Sequence, residues 1–264
     1  MGAAQDQTKR MPYEQSRIQA LDALRGILSV VIVACHLPLG YYLGKIDAGK
    51  WSVTCFFVMS GYVLARAYDG RPIGFMVRRI VRLWPLYALS MCAGHLVLGT
   101  MIPFGELVWA PSALTKMPAV NPPAWSLFME AWATPMLLPL FFVASRSRVA
   151  SLGMPVICIA LTFLDWRLYF MQDFAIGVAA AQFNIKWPRK TPGVLVWLGN
   201  ISYSLYITHG VVLMAWTTRV GVSRYYALPL VFLVASLSYH WVERPSIMWS
   251  RAAARAIRIR STWA

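Results

Sequence analysis

Charge is what this sequence has least of. Only 13% of its 264 residues are Asp, Glu, Lys or Arg, about half the share usual in soluble domains, and only 10 are acidic. With 58% hydrophobic residues and a mean hydropathy of +0.54, a water-soluble fold would lack the polar surface to cover itself. A disordered chain, a nucleic-acid-binding arm and a soluble enzyme domain are thereby excluded. Paired cysteines are missing too. Cys35, Cys55, Cys92 and Cys158 lie in apolar runs with no CxxC spacing and read as buried small hydrophobes. No His, Cys and carboxylate cluster has ligand spacing, so no metal is expected. The first apolar run follows a polar tail and lacks an A-x-A site, so it is expected to remain as a span. No internal repeat or inverted symmetry of broken helices is present, which argues against many transporter folds.

What is there is apolar sequence in blocks. At about 20 residues per span, eight spans use roughly 160 residues and leave only short loops. The expected fold is all-α, a polytopic transmembrane helix bundle. Its eight spans are Ile18–Leu43, Trp51–Tyr68, Leu83–Ile102, Ala124–Ala144, Val149–Asp165, Arg167–Phe183, Val194–Trp216 and Tyr225–Val242. Only Asp165-Trp166-Arg167 separates the fifth and sixth, so seven spans is the open alternative. The net charge of +15 fits the positive-inside rule rather than nucleic acid. With the N-terminus inside, inner segments hold 19 Lys and Arg and outer segments 6, which places both termini in the cytoplasm. Residues 1–17 then form a cytoplasmic tail, 18–245 the membrane-embedded domain, and 246–264 a basic cytoplasmic tail whose arginines, Arg251 to Arg260, lie on anionic lipid. The proline-rich outer loop Pro103–Pro123 is a lid, an acceptor surface or a simple connection.

Ionisable side chains inside spans cost a few kcal/mol or more each on insertion scales, roughly, and mark functional candidates. They are Arg25, His36, His95, Glu130, Asp173, His209 and His240. Arg25 and His36 are eleven residues apart, which is about three helical turns and a rise of about 16 Å, so they share a face. Arg25 near the inner surface and His36 at mid-depth suit an anionic ligand entering from the cytoplasm with its reactive end at the imidazole. The alternative is that Arg25 snorkels to lipid and His36 bonds a neighbouring helix. Glu130 is placed to orient either His36 or His209. His95 and His240 read as structural, and Asp173 as the partner of an inner-loop arginine. Arg78, Arg79 and Arg82 form one helical turn on the inner side, which grips phosphate or only sets topology.

Six motifs occur in order. They are Leu21-Asp22-Ala23-Leu24-Arg25-Gly26 before His36, Phe56-Phe57-Val58-Met59-Ser60-Gly61-Tyr62, Arg78-Arg79-Ile80-Val81-Arg82-Leu83-Trp84-Pro85-Leu86-Tyr87, Trp125-Ser126-Leu127-Phe128-Met129-Glu130, Leu198 through His209, and Glu243-Arg244-Pro245. Together they resemble the acyltransferase 3 family of integral-membrane acyltransferases. The resemblance implies transfer of an acyl group, often acetyl, from cytoplasmic acyl-CoA to a hydroxyl of a cell-surface or secreted carbohydrate or glycolipid. It implies a bacterial inner-membrane setting with the bilayer and no nucleic acid as partners. His36, Arg25 and Glu130 are then the expected catalytic group, with His36 as general base or acyl carrier. Arg78, Arg79 and Arg82 face the donor, and Ser60, Trp125, Ser126 and His209 the substrates. The family usually has about ten spans, and the shortfall lies between Ala144 and Val194. A polar-lipid or glycan flippase and an inactive membrane subunit are the rival readings.

Overall fold

The structure, a computed structural model, describes residues 18–38, 40–101, 120–164, 166–183, 185–188 and 190–260. The expectations for residues 1–17, most of the proline-rich loop, Lys116, Asp165 and Arg189 fall outside the described residues. Those described are helical throughout, with no strand among them. The helices are α1 (Gln19–Cys35), α2 (Gly40–Gly44), α3 (Ala48–Ala67), α4 (Pro72–Leu98), α5 (Ala124–Arg146), α6 (Arg148–Thr162), α7 (Met171–Ala180), α8 (Gly193–Arg219), α9 (Leu228–Ser238) and α10 (Arg244–Arg260). A 3₁₀ turn, Trp166–Phe170, leads into α7, and another, Arg224–Ala227, into α9. A π-helical turn, Tyr239–Glu243, joins α9 to α10. Among the described residues, three continuous helical stretches are long and apolar enough to cross a bilayer: Pro72–Leu98, Ala124–Arg146 and Arg224–Ile257. α6 and α7 are apolar but shorter.

Of the boundaries that differ from the hydropathy reading, two matter for the site. α1 ends at Cys35, two residues before Leu37-Pro38, because the residue ahead of a proline is pushed out of helical geometry. His36 is therefore the C-cap and exposed, not half-way along a span. In contrast, α4 begins eleven residues earlier than hydropathy suggests, with Pro72 in its first turn where a missing N–H costs nothing. It runs through the arginine segment and through Pro85, and stops where Gly99 adopts φ 66°. The arginines thus belong to a helix face inside α4, not to a loop.

α1 packs most extensively on α8, α3 on α7, and α10 on α4. Two of these crossings need glycine. A Cβ on Gly199 would strike the backbone of Asp22, and one on Gly177 the carbonyl oxygen of Val58. Small residues let membrane helices approach this closely. Four apolar clusters are present among the described residues, the smallest being Leu21, Met59 and Tyr62 between α1 and α3. Phe57, Phe75, Leu137, Phe141 and Phe174 join α3, α4, α5 and α7; Val33, Leu205, Val212 and Val231 join α1, α8 and α9; Leu86, Met91, Leu127 and Ile207 join α4, α5 and α8. The outside is as apolar as the inside, with Leu96 80%, Phe163 89% and Trp241 75% exposed. A surface of that kind is solvated by lipid.

Candidate active site

The polar groups of the interior fall into two sets. The first is charged and lies where α1, α3, α4 and α5 meet. Glu130, in the second turn of α5, accepts a 2.7 Å hydrogen bond from Arg79 Nη2 and a 2.8 Å bond from Ser60 Oγ on the same oxygen, Oε1. Arg25 lies within electrostatic reach of Arg82, Glu130, Asp22 and Arg79. Arg79 thus pairs with the carboxylate, Arg25 lies within reach of both, and Arg82 and Asp22 lie within reach of Arg25. Nε of Arg79 and Nε of Arg82 are both buried without a partner among the described residues. A buried donor left unmade costs about 1–3 kcal/mol, and more when charged, so this cluster is suited to an incoming anion. The donor set fits phosphate oxygens, which guanidinium N–H groups bind by charge-assisted hydrogen bonds.

The sequence trio does not stay together. Arg78 turns outward to Asp69, 3.5 Å away at the exposed margin of α4. Only Arg79 and Arg82, one turn apart on the inner face, join Arg25. Beside Arg79, a cleft of about 230 Å3 opens between α4 and α5, lined mainly by Met76, Ile80, Leu83, Trp132 and Pro135.

The second set is built around two imidazoles. At the end of α1, His36 meets His209 of α8, ring centroids 5.0 Å apart and edge to face. Nδ1 of His36 lies 2.8 Å from the Ile32 carbonyl oxygen, and Nδ1 of His209 2.8 Å from that of Tyr206 and 3.1 Å from that of Leu205. A carbonyl oxygen can only accept, so these contacts assign the proton to Nδ1 in both rings and leave a lone pair on each Nε2. His36 faces the outside of the bundle; His209 is fully buried. Arg224 donates from Nη1 to the His36 carbonyl oxygen at 3.1 Å and from Nε to Thr217 at 3.1 Å. A cation on the last carbonyls of α1 also complements the helix dipole.

Tyr206 and Ser126 lie between the sets. The Tyr206 ring is 6.1 Å from that of His209. Its hydroxyl donates to the Pro123 carbonyl at 2.9 Å and accepts from Ser126 Oγ at 2.6 Å, and Ser126 is one helical turn before Glu130. Asn121 fixes the entry to α5 by donating to Ser90 Oγ and the Ile207 carbonyl oxygen.

The residues singled out in the sequence therefore divide. Arg25, Arg79, Arg82, Glu130 and Ser60 come together, and His36 joins His209. Ser126 lies between the two groups. Glu130 holds Arg79 and Ser60 rather than either imidazole, because backbone carbonyls already orient both rings. Trp125 belongs to an aromatic cluster with Phe57 and Phe170. Asp173 is buried beside Thr54, not an arginine. His95 bonds Thr100, and His240 the Ser236 carbonyl oxygen. Sequence reading missed Tyr206 and Arg224. Tyr206 stands one turn before His209, a detectable signal; nothing local marks Arg224.

A sequence model of the acyltransferase domain of the acyltransferase 3 family matches residues 18–183. The chain belongs to the acyltransferase 3 family. That match covers every residue of the charged set and His36, whereas Tyr206 and His209 lie beyond its end. Protein 2 in the picA locus of Rhizobium radiobacter is 34% identical over 149 residues, covering 43% of this chain and 77% of that protein. Acyltransferase MdmB of Streptomyces mycarofaciens is 27% identical over 159 residues, covering 50% of this chain and 41% of MdmB. No solved structure matches. As an acyltransferase 3 member with an apolar exterior, the chain is a membrane protein.

Proposed function

We propose that this protein is a bacterial inner-membrane O-acyltransferase with about eight crossings and both termini cytoplasmic. It moves an acyl group, acetyl in the simplest case, from cytoplasmic acyl-CoA to a hydroxyl of a carbohydrate or glycolipid. The observation that carries this reading is the pairing, within one bundle, of a cationic cluster having unmet N–H groups with an imidazole pair, one ring exposed and the other buried with Nε2 unmet. Arg25, Arg79 and Arg82 hold the donor's phosphates. The eleven residues from Arg25 to His36 rise about 16 Å, a separation that the pantetheine arm between diphosphate and thioester can bridge. Glu130 keeps Arg79 extended and offsets part of the cluster's self-repulsion.

His36 acts as general base. Its Nε2 takes the proton from the acceptor hydroxyl as that oxygen bonds to the acyl carbon. The carbon–sulfur bond breaks, and the proton passes from the imidazolium to the leaving sulfur. The exposure of His36 suits access by an acceptor hydroxyl at the outer mouth.

The test is release of free thiol from acetyl-CoA by purified protein in lipid nanodiscs, with and without carbohydrate acceptors. Release that the His36→Ala variant lacks is expected. A protein that releases no more thiol than this variant is not an acyltransferase, and the flippase reading would then be the one to pursue. Orientation is checked separately with the native cysteines replaced. A cysteine at Lys45 should react with an impermeant reagent in intact cells and one at Arg146 should not.

A further inference from the structure

Nε2 of His209 is one of the buried polar atoms that the chemistry above leaves unused, and it lies beside His36. The side chain is 0% exposed, and Nε2 has no hydrogen-bond partner among the described residues. The ring cannot rotate to relieve this without losing the two carbonyls that hold Nδ1. A buried acceptor in a fixed direction is costly unless a donor arrives. Since Nδ1 already carries the proton, what arrives must bring its own N–H or O–H.

Two kinds of donor reach such a site in the proposed reaction: the acceptor hydroxyl, and the amide N–H nearest the sulfur of a pantetheine thioester. Their routes differ. The acceptor meets His36, which is exposed. His209 is closed off from the exterior, and the Tyr206 ring 6.1 Å from it carries the hydroxyl bonded to Ser126, one helical turn before Glu130. An amide N–H two carbons from the sulfur is also the right distance from a thioester at His36, whose ring centroid lies 5.0 Å from that of His209. Resting on the acyl-CoA reading of the charged cluster, we infer that His209 Nε2 accepts a hydrogen bond from the pantetheine amide N–H beside the thioester. His209 is then a donor-binding residue that sets the acyl carbon against His36, and the two imidazoles divide the substrates between them.

The test compares acetyl-CoA with an analogue in which that amide N–H is replaced by an ester oxygen, removing the donor and little else. Dissociation constants are measured by calorimetry in nanodiscs without acceptor, and turnover is measured alongside. His209→Ala should weaken acetyl-CoA binding about tenfold and leave the ester analogue within about twofold, since a neutral hydrogen bond is worth on the order of tenfold. His209→Gln, which keeps an acceptor atom, should recover most of the loss, and unchanged binding of the analogue shows that the variants are folded. Equal weakening for both donors, or none for either, would overturn the inference. If the unsubstituted protein binds neither donor, the acyl-CoA reading of the charged cluster fails first and this inference with it.

Discussion

At one end of the polar core a single carboxylate oxygen, Glu130 Oε1, is shared by α3, α4 and α5 through Ser60 and Arg79. At the other, each imidazole is oriented by a carbonyl of its own helix, four residues back. The first arrangement exists only when several helices are assembled, and it holds excess positive charge in place. The second is made by local helix geometry. Substitution at the charged end should therefore disturb folding and donor binding together. Substitution at the imidazole end should remove chemistry while leaving the protein intact.

The sharpest way to break this contrast is His36→Ala. Its side chain is exposed at a helix end, so protein yield and thermal unfolding should stay near normal. Acyl transfer should fall by at least about a hundredfold, the lower range for losing a general base. A loss of the protein itself would put His36 on the structural side of the comparison.

Next in size is Glu130→Gln, which leaves Arg79 beside Arg25 and Arg82 without their carboxylate. Breaking a fully buried pair by removing one partner costs about 3–5 kcal/mol; this pair is 13% and 20% exposed, so a smaller but clear downward shift of unfolding temperature in detergent is expected. Replacing Arg79 and Glu130 together by methionine should restore much of that stability and still leave donor binding weak. Stability unaltered by Glu130→Gln would show that the cluster does not hold the helices together.

Arg82→Glu reverses a charge in the unmet part of the cluster. The Michaelis constant for acyl-CoA should rise at least about tenfold, which needs only about 1.4 kcal/mol, while the acceptor constant moves little. Steady-state kinetics in inside-out vesicles separates the two. The smallest effect is expected from Arg78→Glu. Arg78 faces Asp69 at the margin, and exposed pairs are worth about 0–1 kcal/mol, so the donor constant should change less than about threefold. Equal effects at Arg78 and Arg82 would mean that the sequence trio acts as one unit after all.

Much of this was legible in the chain. Helical class follows from apolar blocks, and five of the residues gathered around Glu130 stand in motifs that were recognisable without coordinates. The errors have physical causes. Hydropathy placed the start of α4 at Leu83 because arginines lower a window average, although they do not break a helix. It extended the first span past Cys35 because it weighs Leu37 as apolar and is blind to the backbone demand of Pro38. Glu130 was matched to an imidazole on chemical grounds, but carbonyls within α1 and α8 already occupied the Nδ1 positions.

What the sequence determined by itself was local or summed: composition demanded lipid around the fold, periodicity demanded helices, and spacing put Arg79 and Arg82 on one face. Which partner each side chain met was decided by how the helices cross. The turn that sends Arg78 to Asp69 and Arg79 to Glu130 depends on where α5 lies against α4. The meeting of His36 with His209 depends on Gly26 and Gly199 letting α1 and α8 approach. Arg224 reaches the end of α1 across 188 residues of chain. Contacts of that range are set by tertiary packing, because no one-dimensional pattern encodes the relative rotation of two packed helices.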